Sequence, residues 1–226
     1  MNKALLGLLI VAPLFADKDM DEHNKWMRES ATTLQEITNA GDRGIPEHLI
    51  RRAECVAVIP NLKRAGFIVG AKYGKGVLTC RTQGGQGGWS APAIMRVEGG
   101  SIGIQIGAGE TDVILLVMGE SGKNRLMKDK FTVGGDASVM AGPVGRSTQA
   151  ETDASMKAEI LAYSRSRGLF GGVSLEGATL RPDNDDDAKI YGRPVSVEEI
   201  LHGHVTPPPA ASALYSELNR FPYESH

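Results

Sequence analysis

The chain has 226 residues, of which 41% are hydrophobic and 23% charged, and it carries a formal net charge of −2. That composition is enough for a buried core and ordinary for a globular protein, and it argues against broad nucleic-acid binding. Its 28 glycines lie between apolar runs and not in a repeat, which favours a tightly turned β-rich body over disorder or collagen.

The first 16 residues, MNKALLGLLIVAPLFA, place Lys3 before an apolar run from Ala4 to Leu14 and end on Ala16. This is the pattern of a short signal peptide, too brief to span a bilayer, although Leu14 is bulkier than the small residue usual at that distance from a cleavage site. No cysteine follows it to carry a lipid anchor, and its removal would take Lys3 and leave the net charge at −3. The expectation is an exported protein, periplasmic or secreted.

Residues 17–44 read as an N-terminal helical segment. Met20, Met27, Ala31, Leu34 and Ile37 recur at three- and four-residue spacings, and Asp19, Asp21 and Glu22 suit the positive end of a helix. Gly41 is a reasonable stop. The stripe fits a membrane-touching helix or one docked on its own domain, and the acidic start favours docking.

The main domain is expected over residues 45–205. A short helix over 46–53 starts with Pro46 in its first turn. An apolar strand over 56–59 then leads into a turn at Asn61 to Gly66. Strands over 67–70 and 76–81 flank a connection at Lys72 to Lys75, and Gln83 to Gly88 is a loop of Gln and Gly. Residues 101–108 alternate, with Ile102, Ile104 and Ile106 on one side and Gly103, Gln105 and Gly107 on the other. Strands follow over 113–118 and 132–140, with one or two helical turns over 124–128.

Residues 156–162 fit helix or strand, and the alternation running into Ser164 and Arg165 selects strand. Tyr163, Arg165 and Arg167 then point one way, with Ser164 and Ser166 the other. After Gly168 a second strand is expected over 169–180, laced with Gly171, Gly172 and Gly177. Helices follow over 183–191 and 197–201, the second behind a capping-box spacing at Ser196 to Glu199. Residues 206–226 form a stiff Pro-rich linker and a last helix over 210–219. Together these elements predict an α+β fold, a mostly antiparallel, Gly-rich sheet core with flanking helices.

Motifs for chemistry fail their structural tests. Gly99 to Gly103 satisfies G-x-S-x-G, but it enters a strand where a nucleophile needs a strand-to-helix turn. Gly107-Ala108-Gly109 lacks the third glycine of a dinucleotide fingerprint, and Gly142 to Thr148 has Arg146 where a phosphate loop has lysine. The run Asp183 to Asp187 lacks the glycine and the final glutamate of a calcium loop and reads as the acidic start of a helix. No catalytic residue, metal site or cofactor is expected. Cys55 and Cys80 are the only cysteines, each in an apparent strand; a disulfide and two buried thiols both fit. What remains is cationic: Lys63 with Arg64, Lys72 with Lys75, and Arg165 with Arg167. They are ordinary solvated charge or, if they converge, a patch suited to phosphate groups.

Three segments carry a resemblance: Trp89-Ser90-Ala91-Pro92, Ala141-Gly142-Pro143-Val144-Gly145, and YSRSRGLFGGVSLEG from Tyr163 to Gly177. In this order and spacing the sequence resembles the SYLF domain family, also described as a lipid- and actin-binding domain, over roughly residues 45–201. The resemblance implies a non-enzymatic protein. Eukaryotic members bind phosphoinositide-containing membranes and actin filaments, often beside an SH3 or FYVE module, and bacterial-type members are often exported. The expected function is binding of anionic phospholipid with phosphoinositide-like head groups, or of a lipid-like envelope component. Lys63, Arg64, Lys72, Lys75, Arg165 and Arg167 would form the patch, holding the protein peripherally on a membrane. The alternative is an envelope structural or interaction protein that binds another protein.

Overall fold

Apolar side chains in the middle of the chain alternate between two cores. On one strand Val113, Leu115 and Val117 enter the first core while Ile114 and Leu116 enter the second. A strand apolar on both sides must be covered on both faces, so helices are needed above and below it.

The structure, a computed structural model, describes residues 14–41, 44–66, 69–85, 87–102, 107–128, 130–132, 138–143, 158–166, 169–172 and 178–224. The strands are β1 (Cys55–Gly66), β2 (Val69–Cys80), β3 (Ala93–Ile102), β4 (Gly107–Val117), β5 (Phe131–Thr132), β6 (Val139–Ala141), β7 (Ile160–Ser166), β8 (Leu169–Gly172) and β9 (Thr179–Pro182). They form one sheet in the order β5-β9-β3-β2-β1-β4-β7-β6, with β8 also pairing with β7. Every pairing is antiparallel except that of β6 with β7. One core joins Leu180 of β9 to Ile160 and Ala162 of β7, from opposite ends of the sheet, so the sheet curls around it.

The helices are α1 (Leu14–Thr38), α2 (Glu47–Arg52), α3 (Glu120–Leu126), α4 (Asn184–Tyr191), α5 (Val197–Leu201) and α6 (Ser212–Leu218). The fold is α+β. One face of the sheet is covered by α1 through Met27, Ala31, Leu34 and Ile37, by α2 through Leu49 and Ile50, and by α6 through Leu214 and Leu218. Most of the α1 stripe is therefore docked on its own domain, while Met20 is exposed at its start. The other face receives Leu126 of α3 and Val197, Ile200 and Leu201 of α5. Because Leu214, Leu218 and Phe221 are buried beside α1, the C-terminal segment packs into the same core as the N-terminal helix. Among the described residues, no helix is long and apolar enough to cross a membrane.

Several boundaries differ from the sequence expectation, each for a physical reason. Residues 61–66 are not a turn: β1 runs on to Gly66, because a bulge around Pro60 and Asn61 absorbs the turn-prone residues and both neighbours resume pairing beyond it. Asn61 takes φ 53, a left-handed conformation that Asn tolerates, and its backbone N–H donates to Asp112 at 2.9 Å. Lys72 to Lys75 is likewise no connection, since these residues lie within β2, all four paired with β3 and Lys72 and Tyr73 also with β1. The alternating stretch 101–108 belongs to two strands, the end of β3 and the start of β4, with residues 103–106 outside the described set. Residues 132–140 split into β5 and β6 at opposite ends of the sheet order. The strand expected over 169–180 also divides: β8 pairs with β7, whereas β9 pairs with β3. Ser101 lies within β3, paired with Gly70, so the G-x-S-x-G match does not put its serine at a strand-to-helix turn.

Cys55 and Cys80 face each other directly across β1 and β2 and are joined, with S–S 2.07 Å. Both are fully buried. Residues 1–13, which hold most of the leader-like segment, lie outside the described residues, and α1 already begins at Leu14.

Candidate binding site

The six candidate cations do not form one patch. Lys75 lies on the α1 face of β2 and points into an ionic cluster. Its Nζ is 2.9 Å from Asp183 and 2.5 Å from Asp186, and it sits 5.0 Å from the ring centre of Trp26. Burial alone would lower the lysine's pKa, but hydrogen bonds and charge from Asp186 and Asp183 outweigh it and raise it. His23 of α1 meets Asp186 at 3.4 Å, Arg96 of β3 meets Asp183 at 3.6 Å, and Lys189 of α4 meets Asp186 at 3.4 Å. Asp183 caps α4, as the acidic helix start requires, by accepting from the Asp186 N–H. Asp187 beside it is fully buried and accepts from the Ile94 N–H at 2.8 Å. Burial, then the charges of Asp183 and Asp186, push its carboxyl up to about 8 against that hydrogen bond. This cluster ties α1, β2, β3 and α4 together.

Arg165 is also committed internally. Its Nε and Nη2 donate to Asp112 of β4 at 3.0 and 2.7 Å, and its Nη1 pairs with Glu36 of α1. Burial would lower its pKa, while Asp112 and then Glu36 raise it. Tyr163 and Arg165 do share a face, as the alternation requires, but that face lies under α1, where Tyr163 is 2% exposed. Arg167 lies outside the described residues.

Three cations remain toward the end of the β1–β2 pair where β1 stops at Gly66 and β2 starts at Val69. Arg64 is directly opposite Lys72, and Lys63 is opposite Tyr73. The bulge sets this register: Ile59 and Leu62 both enter the first core, so alternation puts Arg64 and Lys72 on that side and Lys63 and Tyr73 on the α1 side. Among the described residues neither Arg64 nor Lys72 has an ion-pair partner, and Nε and Nη2 of Arg64 are buried without a hydrogen-bond acceptor. Burial, then the charge of Arg64, lowers the pKa of Lys72. Like charges facing each other across a ladder are unfavourable, and an anion between them removes the penalty.

On the α1 side, Lys63 and the 48% exposed Tyr73 line a cleft of about 480 Å³. Trp26 and Glu29 of α1, Asn61 at the bulge, Lys75 of β2 and Glu110 of β4 are also in its wall. Sequence reasoning missed Tyr73 and this cleft. Tyr73 was legible only as part of a connection, and the Lys-Tyr-Gly-Lys composition gives no sign that it sits mid-strand beside a helix.

Among the described residues no group of three or more His, Cys, Asp or Glu side chains is placed to hold a metal ion. The architecture is a curled sheet between helical layers. Residues 98–221 match the Ysc84 family, described as Las17-binding protein actin regulator, and the chain belongs to this family. It is 35% identical over 201 residues to the SH3 domain-containing YSC84-like protein 1 of Xenopus laevis, covering 86% of this chain and 59% of that protein. It is 37% identical over 176 residues to Protein YSC84 of Saccharomyces cerevisiae, covering 76% of this chain and 37% of that protein. LAS seventeen-binding protein 3 of the same yeast is 36% identical over 180 residues, 78% of this chain and 39% of that protein. The chain thus spans about three fifths or less of the length of these relatives. The match ends at Phe221, inside the packed C-terminal segment and past residue 205. Family membership supports a binding role without catalysis.

Proposed function

We propose that the protein binds an anionic phospholipid surface through the closed end of the β1–β2 hairpin, beside Gly66 and Gly70. The observation that carries this reading is the Arg64–Lys72 pair, two facing cations with no anionic partner among the described residues, with Lys63 and an exposed Tyr73 on the other face of the same hairpin end. Lysine and arginine supply charge to phosphate, and a tyrosine ring suits the boundary between head group and acyl chain. Lys75 and Arg165 take no part, because their charges are spent on Asp183, Asp186, Asp112 and Glu36. In this reading the leader-like first 16 residues export the protein, which then acts peripherally on a membrane.

A second reading has a specific support of its own: one yeast relative is named for binding LAS seventeen, and the family is described as an actin regulator. In that reading the same hairpin end docks on an acidic protein surface.

Co-sedimentation with neutral and anionic liposomes tests the first reading. Each cation near an anionic surface contributes on the order of 1 kcal/mol, so the triple variant Lys63→Ala, Arg64→Ala, Lys72→Ala should bind on the order of 100-fold more weakly. Wild-type binding should fade with salt, as screening over roughly 8–10 Å demands. Arg165→Ala should lower the melting temperature and leave binding below it unchanged. Equal affinity for neutral and anionic liposomes, unmoved by the triple change, would sink the lipid reading and leave the protein partner.

A further inference from the structure

The Gly-rich loop after β2 and the last residues of the chain meet at a site that the binding surface above does not use. Arg81 follows β2 and is 3% exposed. Its guanidinium carbon lies 4.2 Å from the ring centre of Trp89 and 5.1 Å from that of Tyr223. The Tyr223 hydroxyl donates to Oε1 of Glu54 at 2.9 Å, and Glu54 is itself 6% exposed. The ring lies against Gly85, where a Cβ would come 2.1 Å from the ring's Cδ1 and where φ is 91. Only glycine fits there, on both counts.

We propose that Glu54, Arg81, Gly85 and Trp89 form a socket for a tyrosine on an extended peptide, and that the chain's own Tyr223 fills it as a displaceable latch. The segment is read through its backbone on both sides of the tyrosine. Arg81 Nη2 donates to the Phe221 carbonyl at 2.8 Å, and the Glu224 N–H donates to the Arg51 carbonyl at 3.1 Å. Phe221 keeps its carbonyl on Arg81 when the latch opens, so a partner meets the Arg51 carbonyl, a backbone contact that accepts many sequences, and the socket, which demands the hydroxyl-bearing ring. The fit in cis is also incomplete. Oε2 of Glu54 is buried with no hydrogen-bond partner, so the site keeps an acceptor that Tyr223 does not use. Phe221 is anchored in the core with Leu214 and Leu218, whereas Pro222 and Glu224 are exposed. The latch can therefore open beyond Phe221 without unpacking α6. The partner that fits is a protein segment with a tyrosine in extended chain, independent of any lipid.

A fluorescent peptide spanning residues 219–226 is the probe, titrated by polarisation against the full chain. The Tyr223→Ala variant should bind it at least tenfold more tightly than wild type, whose socket is filled. Adding Gly85→Val to that variant should abolish binding, and a peptide with phenylalanine at the tyrosine should bind at least tenfold more weakly. Equal binding by wild type and Tyr223→Ala, including none by either, overturns the proposal. Should Tyr223→Ala not fold, the wild-type chain decides. Unlabelled peptide should speed carboxypeptidase trimming past Glu224, and a trimming rate unmoved by saturating peptide overturns the displaceable latch.

Discussion

Lys72 and Lys75 stand three residues apart on one strand, and the fold treats them in opposite ways. Lys75, on the α1 face, is surrounded by Asp183 and Asp186 and held by the ring of Trp26. Lys72, on the other face, is set opposite Arg64 and receives no carboxylate among the described residues. Solvation alone does not explain the difference, since burial works to lower the pKa of both lysines. What differs is whether the structure brings a counter-charge. At Lys75 it does, and the charge fastens a helix to the sheet. At Lys72 it leaves two cations facing each other, an arrangement that costs stability and that an external anion would relieve. Stability and binding are thus divided between the two faces of one strand.

The strongest way to break this contrast is to remove the paired lysine. Lys75→Ala takes from Asp183 and Asp186, each under a tenth exposed, the cation they share, leaving Asp183 with Arg96 at 3.6 Å and Asp186 with His23 and Lys189 at 3.4 Å, beside the already buried Asp187. Loss of one member of such a buried cluster costs about 3–5 kcal/mol. Thermal unfolding should show a fall in melting temperature on the order of 10 °C or more, while liposome binding below that temperature stays at the wild-type level. An unchanged melting temperature would mean that the cluster does not hold α1 in place.

How far this division could be read from the sequence follows from the same residues. Strand periodicity placed Tyr163 and Arg165 on one face, and helical spacing placed Met27, Ala31, Leu34 and Ile37 on one stripe, which the acidic helix start favoured as docked; both are local patterns that the fold keeps. The course of β1 was hidden, because a bulge and a turn use the same residues and only the neighbours β2 and β4 decide between them. The fate of each cation was hidden as well. Arg165 meets Glu36 and Asp112, and Lys75 meets Asp183 and Asp186 more than a hundred positions on, and no spacing rule encodes such pairs. The separation of β8 from β9 has the same origin, since one apolar Gly-rich run was long enough for a single strand and its two ends found partners at opposite ends of the sheet.

A smaller effect sharpens the paired side of the comparison. Asp187 has its carboxyl pushed up to about 8 by burial and by its two acidic neighbours, from an ordinary value of 3.8. A raised pKa means that the native state favours the protonated form. Its stabilising contribution is complete below about pH 4 and is lost as pH rises through about 8. Asparagine is neutral throughout and can still accept from the Ile94 N–H. Asp187→Asn and wild type should therefore unfold at similar denaturant concentrations near pH 4. The variant should gain progressively up to pH 8–9, by on the order of 2 kcal/mol or more. A gap between the two that does not change with pH would show that Asp187 titrates normally.

The smallest effect bears on the unpaired side. Lys72→Glu places a carboxylate directly across the ladder from Arg64, whose buried Nε and Nη2 lack an acceptor among the described residues. A facing like-charge pair becomes a facing ion pair, and cross-strand pairs are worth roughly 0.2–1 kcal/mol each. The variant should be more stable than wild type by about that amount in urea unfolding, with an unchanged slope. The same change should weaken binding to anionic liposomes by more than Lys72→Ala does, because it adds repulsion to the loss of a cation. Stability and affinity moving in opposite directions on one substitution is what a site kept for an external anion requires. If Lys72→Glu destabilises the protein and leaves liposome binding intact, the Arg64–Lys72 pair is held by something other than a missing anion, and the proposed surface must be sought elsewhere on the sheet.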